Sequence, residues 1–216
     1  YTETHLEVDI PDSMLSQRLQ EENAMPSLSE GMNFDLNVLD AERGRISSAL
    51  ANKGYYRFNK DYIRFEADTT IGHHQVDLHM KILPYHITAS QDTILHSQYS
   101  INKVSFLADT TQSGRPFLRH KVLMETSRLE PGQIYRESDV QETYAHMIRL
   151  GGVLSTNVRL HPSATDSTAL DADILLTRGK RNSFSVEVEG TNSAGDFGAA
   201  LSTSYQNRNV FRGGET

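Results

Sequence analysis

Ser183-Phe184-Ser185-Val186-Glu187-Val188-Glu189-Gly190 is the stretch on which the fold of this chain turns. Phe184, Val186 and Val188 alternate with Ser185, Glu187 and Glu189, the period-2 pattern of a strand with one apolar and one polar face. A turn-rich run from Gly190 to Asp196 follows. A second alternation then puts Phe197, Ala199, Leu201, Thr203 and Tyr205 on one face, and Gly198, Ala200, Ser202 and Ser204 on the other. The two make a β-hairpin with unpaired edges on both sides, which is marginal alone in water. Strands that are apolar outside and small or polar inside suit the opening of a transmembrane β-barrel. The plainer alternative is an amphipathic hairpin lying on a soluble core.

Upstream, residues 1–83 and 99–179 read as two copies of one unit. In the first, Leu6, Val8 and Ile10 alternate with His5, Glu7 and Asp9. Pro11-Asp12-Ser13 ends that strand and offers a helix cap, and Met14, Leu15, Arg18 and Leu19 mark a short helix. A longer helix follows, with Asn37 as the expected cap and Leu39, Ile46, Ala49 and Leu50 as its apolar stripe; Lys53-Gly54 stops it. Tyr56, Phe58, Ile63 and Phe65 mark the next strand, and Val76, Leu78, Met80 and Ile82 the last. The second copy starts near Tyr99, Ile101, Val104 and Phe106, with an inserted turn from Asp109 to Arg115. Leu118–Thr126 is its first helix. Ser138-Asp139-Val140-Gln141 has the form of a capping box, ahead of a stripe of Val140, Tyr144, Met147 and Ile148. Gly151-Gly152 stops this helix as Gly54 stops the earlier one, and Val158, Leu160, Leu170, Ala172, Ile174 and Leu176 complete the copy. Each copy is an α+β unit with its helices on one face of a three-stranded sheet.

Asn209-Val210-Phe211-Arg212-Gly213-Gly214-Glu215, with Ser185–Gly190 before it, resembles the first two barrel strands of the BamA/TamA family of outer-membrane assembly factors, also called the bacterial surface antigen family. In the usual form Gly directly follows Phe; here Arg212 intervenes. Asn52-Lys53-Gly54-Tyr55-Tyr56 resembles that family's helix-Gly-aromatic signature, and β-α-α-β-β is the order of its POTRA domains. The resemblance implies two tandem POTRA-type units, residues 1–83 and 99–181, joined by a linker at 84–98. Residues 182–216 would be the first strands of a truncated barrel. It further implies a piece of a longer protein in the periplasm and outer membrane of a Gram-negative bacterium. Its partners would be outer-membrane protein clients, accessory periplasmic proteins or lipoproteins, and the membrane itself through the full barrel.

The mechanism expected for such a unit is β-augmentation, in which an open strand edge pairs with an extended client. The last strand of each unit is the more apolar and is expected to be central, which leaves its hairpin partner at the edge. The client-binding residues are then Ile63, Arg64 and Phe65 in one unit and Val158, Arg159 and Leu160 in the other. Arg64 and Arg159 also suit edges blunted by charge. Phe184, Val186 and Val188 would line the seam of the barrel's first strand.

Composition narrows the alternatives. Net charge is −7, so a nucleic-acid partner is not expected. The chain has no Cys, which removes disulfides and thiolate metal sites. His73, His74 and His79 lie close in sequence, but alternation sends His73 and His74 to opposite faces and parts His74 from His79 likewise. No metal or cofactor is expected. Ser193 lacks a nucleophile elbow, and Glu187 with Glu189 reads as a polar strand face, so no catalytic residue is assigned. Two rival readings remain: a POTRA-bearing scaffold of a secretion or cell-division complex without insertase activity, and a soluble enzyme.

Overall fold

The computed structural model describes residues 1–72, 74–86, 93–108, 115–180, 182–193, 196–207 and 211–214. Within them the chain runs β1 (Thr2–Asp9), α1 (Ser13–Glu21), α2 (Leu36–Ala51), a 3-10 turn (Lys60–Tyr62), β2 (Ile63–Asp68) and β3 (Gln75–Ile82). A small pair, β4 (Tyr85–His86) and β5 (Thr93–Ile94), follows. Then come β6 (Ser100–Ala108), α3 (His120–Thr126), α4 (Glu137–Met147), β7 (Val153–Pro162) and β8 (Ala169–Arg178). β9 (Asn182–Ser193) and β10 (Asp196–Asn207) close the chain.

The two larger sheets have the same permutation, β1-β3-β2 and β6-β8-β7. The apolar last strand is therefore in the middle each time. Burial explains why: Val76, Leu78, Met80 and Ile82 of β3 are no more than 3% exposed, and Leu170, Ala172, Ile174 and Leu176 of β8 no more than 2%. A strand so apolar on one face is stable only with a neighbour on each side and helices over it. β3 runs parallel to β1 and antiparallel to β2, with Ile63 opposite Ile82 and Phe65 opposite Met80.

The two copies also share individual backbone hydrogen bonds. Gly31 N–H donates to Glu3 O and Glu3 N–H to Met32 O; Gly132 N–H donates to Ile101 O and Ile101 N–H to Gln133 O. Phe34 N–H donates to Tyr1 O, as Tyr135 N–H does to Tyr99 O. Gly31 and Gly132 have φ of +86° and +88°, a conformation that glycine adopts without a steric cost. A turn in each copy is built by the same side chain: Asp68 Oδ1 accepts from Thr70 N–H and Oγ1, and Asp166 Oδ1 from Thr168 N–H and Oγ1, at 2.7–2.8 Å.

Several local expectations need correction. Asp35, not Asn37, caps α2, because its carboxylate accepts the Asn37 N–H at 2.8 Å. α4 already starts at Glu137, so Ser138 is inside the first turn and not the cap. Its N–H is taken by Asn52 Oδ1 at 2.8 Å. On α4 the buried side chains are Thr143 and Met147, and Tyr144 is turned to solvent. The linker holds the β4–β5 pair. β9 extends through Ser193, longer than its alternation indicated, because pairing with β10 continues to Ser193 opposite Asp196. Most of the inserted turn, residues 109–114, lies outside the described residues, as does His73.

The chain divides into two compact units. The first comprises Tyr1–Ile101, Gly132–Ser138 and Pro162–Leu170, the second Asn102–Pro131, Asp139–His161 and Asp171–Thr216. The first is centred on Leu15, Leu19, Ile46, Leu50, Ile63 and Met80. The second is centred on Phe117, Leu118, Leu123, Met147, Ile174 and Leu176.

Candidate functional site: an open strand beside an apolar groove

Among the described residues, β2 has β3 on one side and no sheet neighbour on the other. Which of its backbone groups face outward follows from two hydrogen bonds. Tyr62 O accepts the Leu83 N–H, so Tyr62 turns its backbone toward β3. Ile63 O instead accepts from Arg43 Nε of α2, at 2.9 Å. The N–H and C=O of a strand residue leave on the same side, and alternate residues leave on the same edge. Phe65 and Ala67 therefore present their N–H and C=O outward with Ile63, whereas Arg64 and Glu66 pair with Lys81 and His79.

The edge is already blunted at its start. Arg43 Nε bonds both Ile63 O and Lys60 O, and its guanidinium sits beside Asp40 at 3.3 Å and Asp61 at 3.8 Å. Lys60 closes on Asp40 at 2.9 Å; its hydrogen bond, with the positive charges of Lys60 and Arg43, holds the Asp40 carboxyl below its ordinary pKa against the opposing effect of desolvation. The residue that blunts the edge at this point is thus Arg43, from α2, and not Arg64 on the strand itself. Arg64 is exposed.

Between this edge and α2 lies a groove of about 500 Å³. Phe34, Leu36, Leu39 and Phe65 supply its apolar wall, and Asp40, Arg43, Asp61 and Arg64 its charged rim. Leu36 is 70% exposed, a large apolar side chain left bare next to unpaired backbone. Ile63 is only 1% exposed, so it contributes structure to the edge and no accessible side chain. Phe65 is half-buried and packs under the groove.

No protein-family model matches the chain, and no curated protein matches it closely enough to indicate kinship. Its fold does resemble that of solved structures. BamA from Haemophilus ducreyi lacking POTRA domains 1–3 superposes with a TM-score of 0.65 at 14% identity, over 93% of this chain and 34% of that one. POTRA domains 3–5 of Haemophilus influenzae BamA superpose with a TM-score of 0.52 at 13% identity, over 82% of this chain and 61% of that one. The fold is the POTRA fold. At these identities the likeness shows the fold alone, and this chain spans about a third of the first structure's length.

β7 is the corresponding edge strand in the second POTRA-type sheet. Val158 packs on the core there, Leu160 is half-buried and Arg159 is exposed. His161, on the same strand, lies 3.2 Å from Asp173. Phe184, Val186 and Val188 of β9 are all bare, at 51–75% exposed. The register brings them onto one face with β10: Phe184 is opposite Tyr205, Val186 opposite Thr203 and Val188 opposite Leu201. The other face is polar, with Ser185 and Ser204 hydroxyls 2.7 Å apart. Among the described residues, no group of three or more His, Cys, Asp or Glu is placed to hold a metal ion. His79 pairs with Glu7 at 2.8 Å. No helix among them is long and apolar enough to cross a membrane, which says nothing of strands.

Proposed function

We propose that this chain is the POTRA portion, with the first barrel strands, of a BamA/TamA-like outer-membrane assembly factor. Residues 1–83 and 99–181 are its two POTRA-type domains, and 182–216 its entry into the membrane. It works without catalysis, holding extended outer-membrane clients and accessory periplasmic proteins. The observation that carries this reading is the outward-turned backbone of Phe65 and Ala67 beside the groove under Leu36. An extended client pairs with those groups, and its alternate side chains enter the groove. The proposal extends to β7, the edge strand of the second sheet, at Val158, Arg159 and Leu160.

The hairpin supports the membrane half of the proposal. β9 and β10 have 12 residues each, enough for the roughly 9–11 that a tilted strand needs to cross a bilayer. One face carries Phe184, Val186, Val188, Leu201 and Tyr205 with Thr203 among them, and the other bears Ser185, Glu187, Ser202 and Ser204. In a barrel the first face meets lipid and the second the lumen.

Ala67→Pro tests the client site. The residue is exposed and its N–H points away from β3, so the sheet tolerates proline there while a client loses a donor. Binding of an unfolded outer-membrane protein should weaken by about tenfold, the equivalent of one hydrogen bond. Unchanged affinity with an intact fold would remove the β2 edge from the proposal.

A further inference from the structure

The turn that ends α4 holds both feet of the hairpin. Gly179 N–H, just ahead of β9, donates to Gly152 O at 2.7 Å. Gly151 N–H donates to Gly214 O, beyond the end of β10, also at 2.7 Å. A third bond runs from Arg119 N–H, at the cap of α3, to Arg212 O at 3.0 Å. The returning segment Phe211–Gly214 is thus seated on the second unit by main-chain bonds.

Its conformation is specific to that seat. Arg212 has φ of +59°, a region that costs a non-glycine residue free energy and persists where the surroundings enforce it. Gly214 has φ of +75°, and a Cβ there would lie 2.7 Å from Leu150 Cδ2 and 3.2 Å from its Cβ. No side chain fits at 214 unless Leu150 moves.

The first copy uses its helix-ending turn in the same way. Gly54 O accepts the Tyr99 N–H and Lys53 O the Gln98 amide, both at 2.8 Å, so the turn after α2 seats the segment that starts β6. Gly54 has φ of +97°, and a Cβ there would lie 2.9 Å from Ile134 Cγ2. Two turns at equivalent places hold whatever comes next in the chain.

We propose that the glycine turn after the long helix of each copy is a coupling seat, and that Gly151-Gly152 is a clasp for the β9–β10 hairpin. The partner it fits is residues 211–214 of this same chain. Because the hairpin is held at both feet, the second unit sets the direction in which the strands leave it. A chain connected only through residues 178–182 would leave that direction free. The inference rests on the bonds around Gly151 and stands whether or not the hairpin enters a membrane.

Residue-resolved amide exchange on the intact chain tests it. The Arg119 and Gly151 amides should exchange at least tenfold more slowly than unstructured amides, since both donate into the seated segment. Gly214→Val should release both by tenfold or more while leaving the Gly179 and Ile174 amides protected. Fast exchange of Arg119 and Gly151 in the wild-type chain would overturn the proposal outright, even if Gly214→Val failed to fold. Protection unchanged in a folded Gly214→Val variant would overturn it too.

Discussion

Arg45 closes over the buried carboxylate of Glu42, with Nη2 2.7 Å from Oε1 and Nε 2.9 Å from Oε2. The same guanidinium donates to Ala24 O and Met25 O, and Glu42 also accepts the Ser27 N–H at 2.7 Å. This pair pins the loop between α1 and α2 to the longer helix. Burial pushes the Glu42 carboxyl up, but the bonds from Arg45 and Ser27 outweigh it and the net shift is downward. Arg45 looks like an ordinary surface residue in the sequence and would be expected to matter little. In the fold, Arg45→Ala leaves a buried charge unpaired and should cost about 2–3 kcal/mol in denaturant unfolding. A carboxyl with a lowered folded pKa contributes stability above its ordinary value of 4.5 and loses it as pH falls through the lowered one. The difference between wild type and Glu42→Gln should therefore shrink on acidification.

Glu3 presents the opposite case. It occupies the place that Ile101 holds in the second copy, and its Oε1 has no hydrogen-bond partner among the described residues. Burial, and then the nearby Glu30, raise its pKa above 4.5. Its protonated form is the one the fold prefers, so stability is full below 4.5 and is lost as pH rises through the raised value. Glu3→Ile should stabilise the chain by about 1–3 kcal/mol near neutrality and by less in acid. A variant that is less stable than wild type at pH 7 would show that Glu3 has a partner the geometry does not reveal.

The helix phases make a sharper comparison. Leu50 and Met147 are each no more than 1% exposed, and Leu50→Ala or Met147→Ala should cost about 2–5 kcal/mol. Tyr144 is 48% exposed, and Tyr144→Ala should change stability by less than about 0.5 kcal/mol. Thermal unfolding of the three variants checks the burial of Leu50 on α2 and, from Met147 against Tyr144, whether α4 is turned as described.

For the hairpin, Val188→Arg puts a charge on the apolar face opposite Leu201. If that face meets lipid, the change should cost about 2–4 kcal/mol near the bilayer centre and reduce stable insertion of the full barrel. Glu187→Arg, on the polar face, should be tolerated. Equal effects of the two would place the hairpin outside the membrane.

Much of this fold is legible in alternation alone. Val76 to Ile82 and Leu170 to Leu176 read as central strands, and burial of one face is enough to place them there. Gly54 and Gly151-Gly152 read as stops, and Gly54 and Gly152 both have the positive φ such a stop uses. What escaped the reading depends on partners distant in sequence. Ser138 is not a cap because α4 already starts at Glu137, and Asn52, at the C-terminal end of α2, takes its N–H. Arg43 blunts the β2 edge from across the groove, and Arg45 is anchored by loop carbonyls. The matched Asp-x-Thr turns at 68–70 and 166–168 were readable in principle, since both ends of each bond lie within three residues. The groove itself is formed by packing, and its bare Leu36 has no signature in the local pattern.

The central claim is that β2 takes an extended client as an added strand. The most direct measurement is amide exchange and chemical-shift mapping of the chain with and without a peptide of alternating apolar and polar residues. Pairing at the edge protects the Phe65 and Ala67 amides, which face outward when the site is empty, and shifts Leu36 in the groove. The Arg64 and Glu66 amides, already bonded to β3, change little. Protection that appears elsewhere, or equally at all four of these amides, would contradict the account.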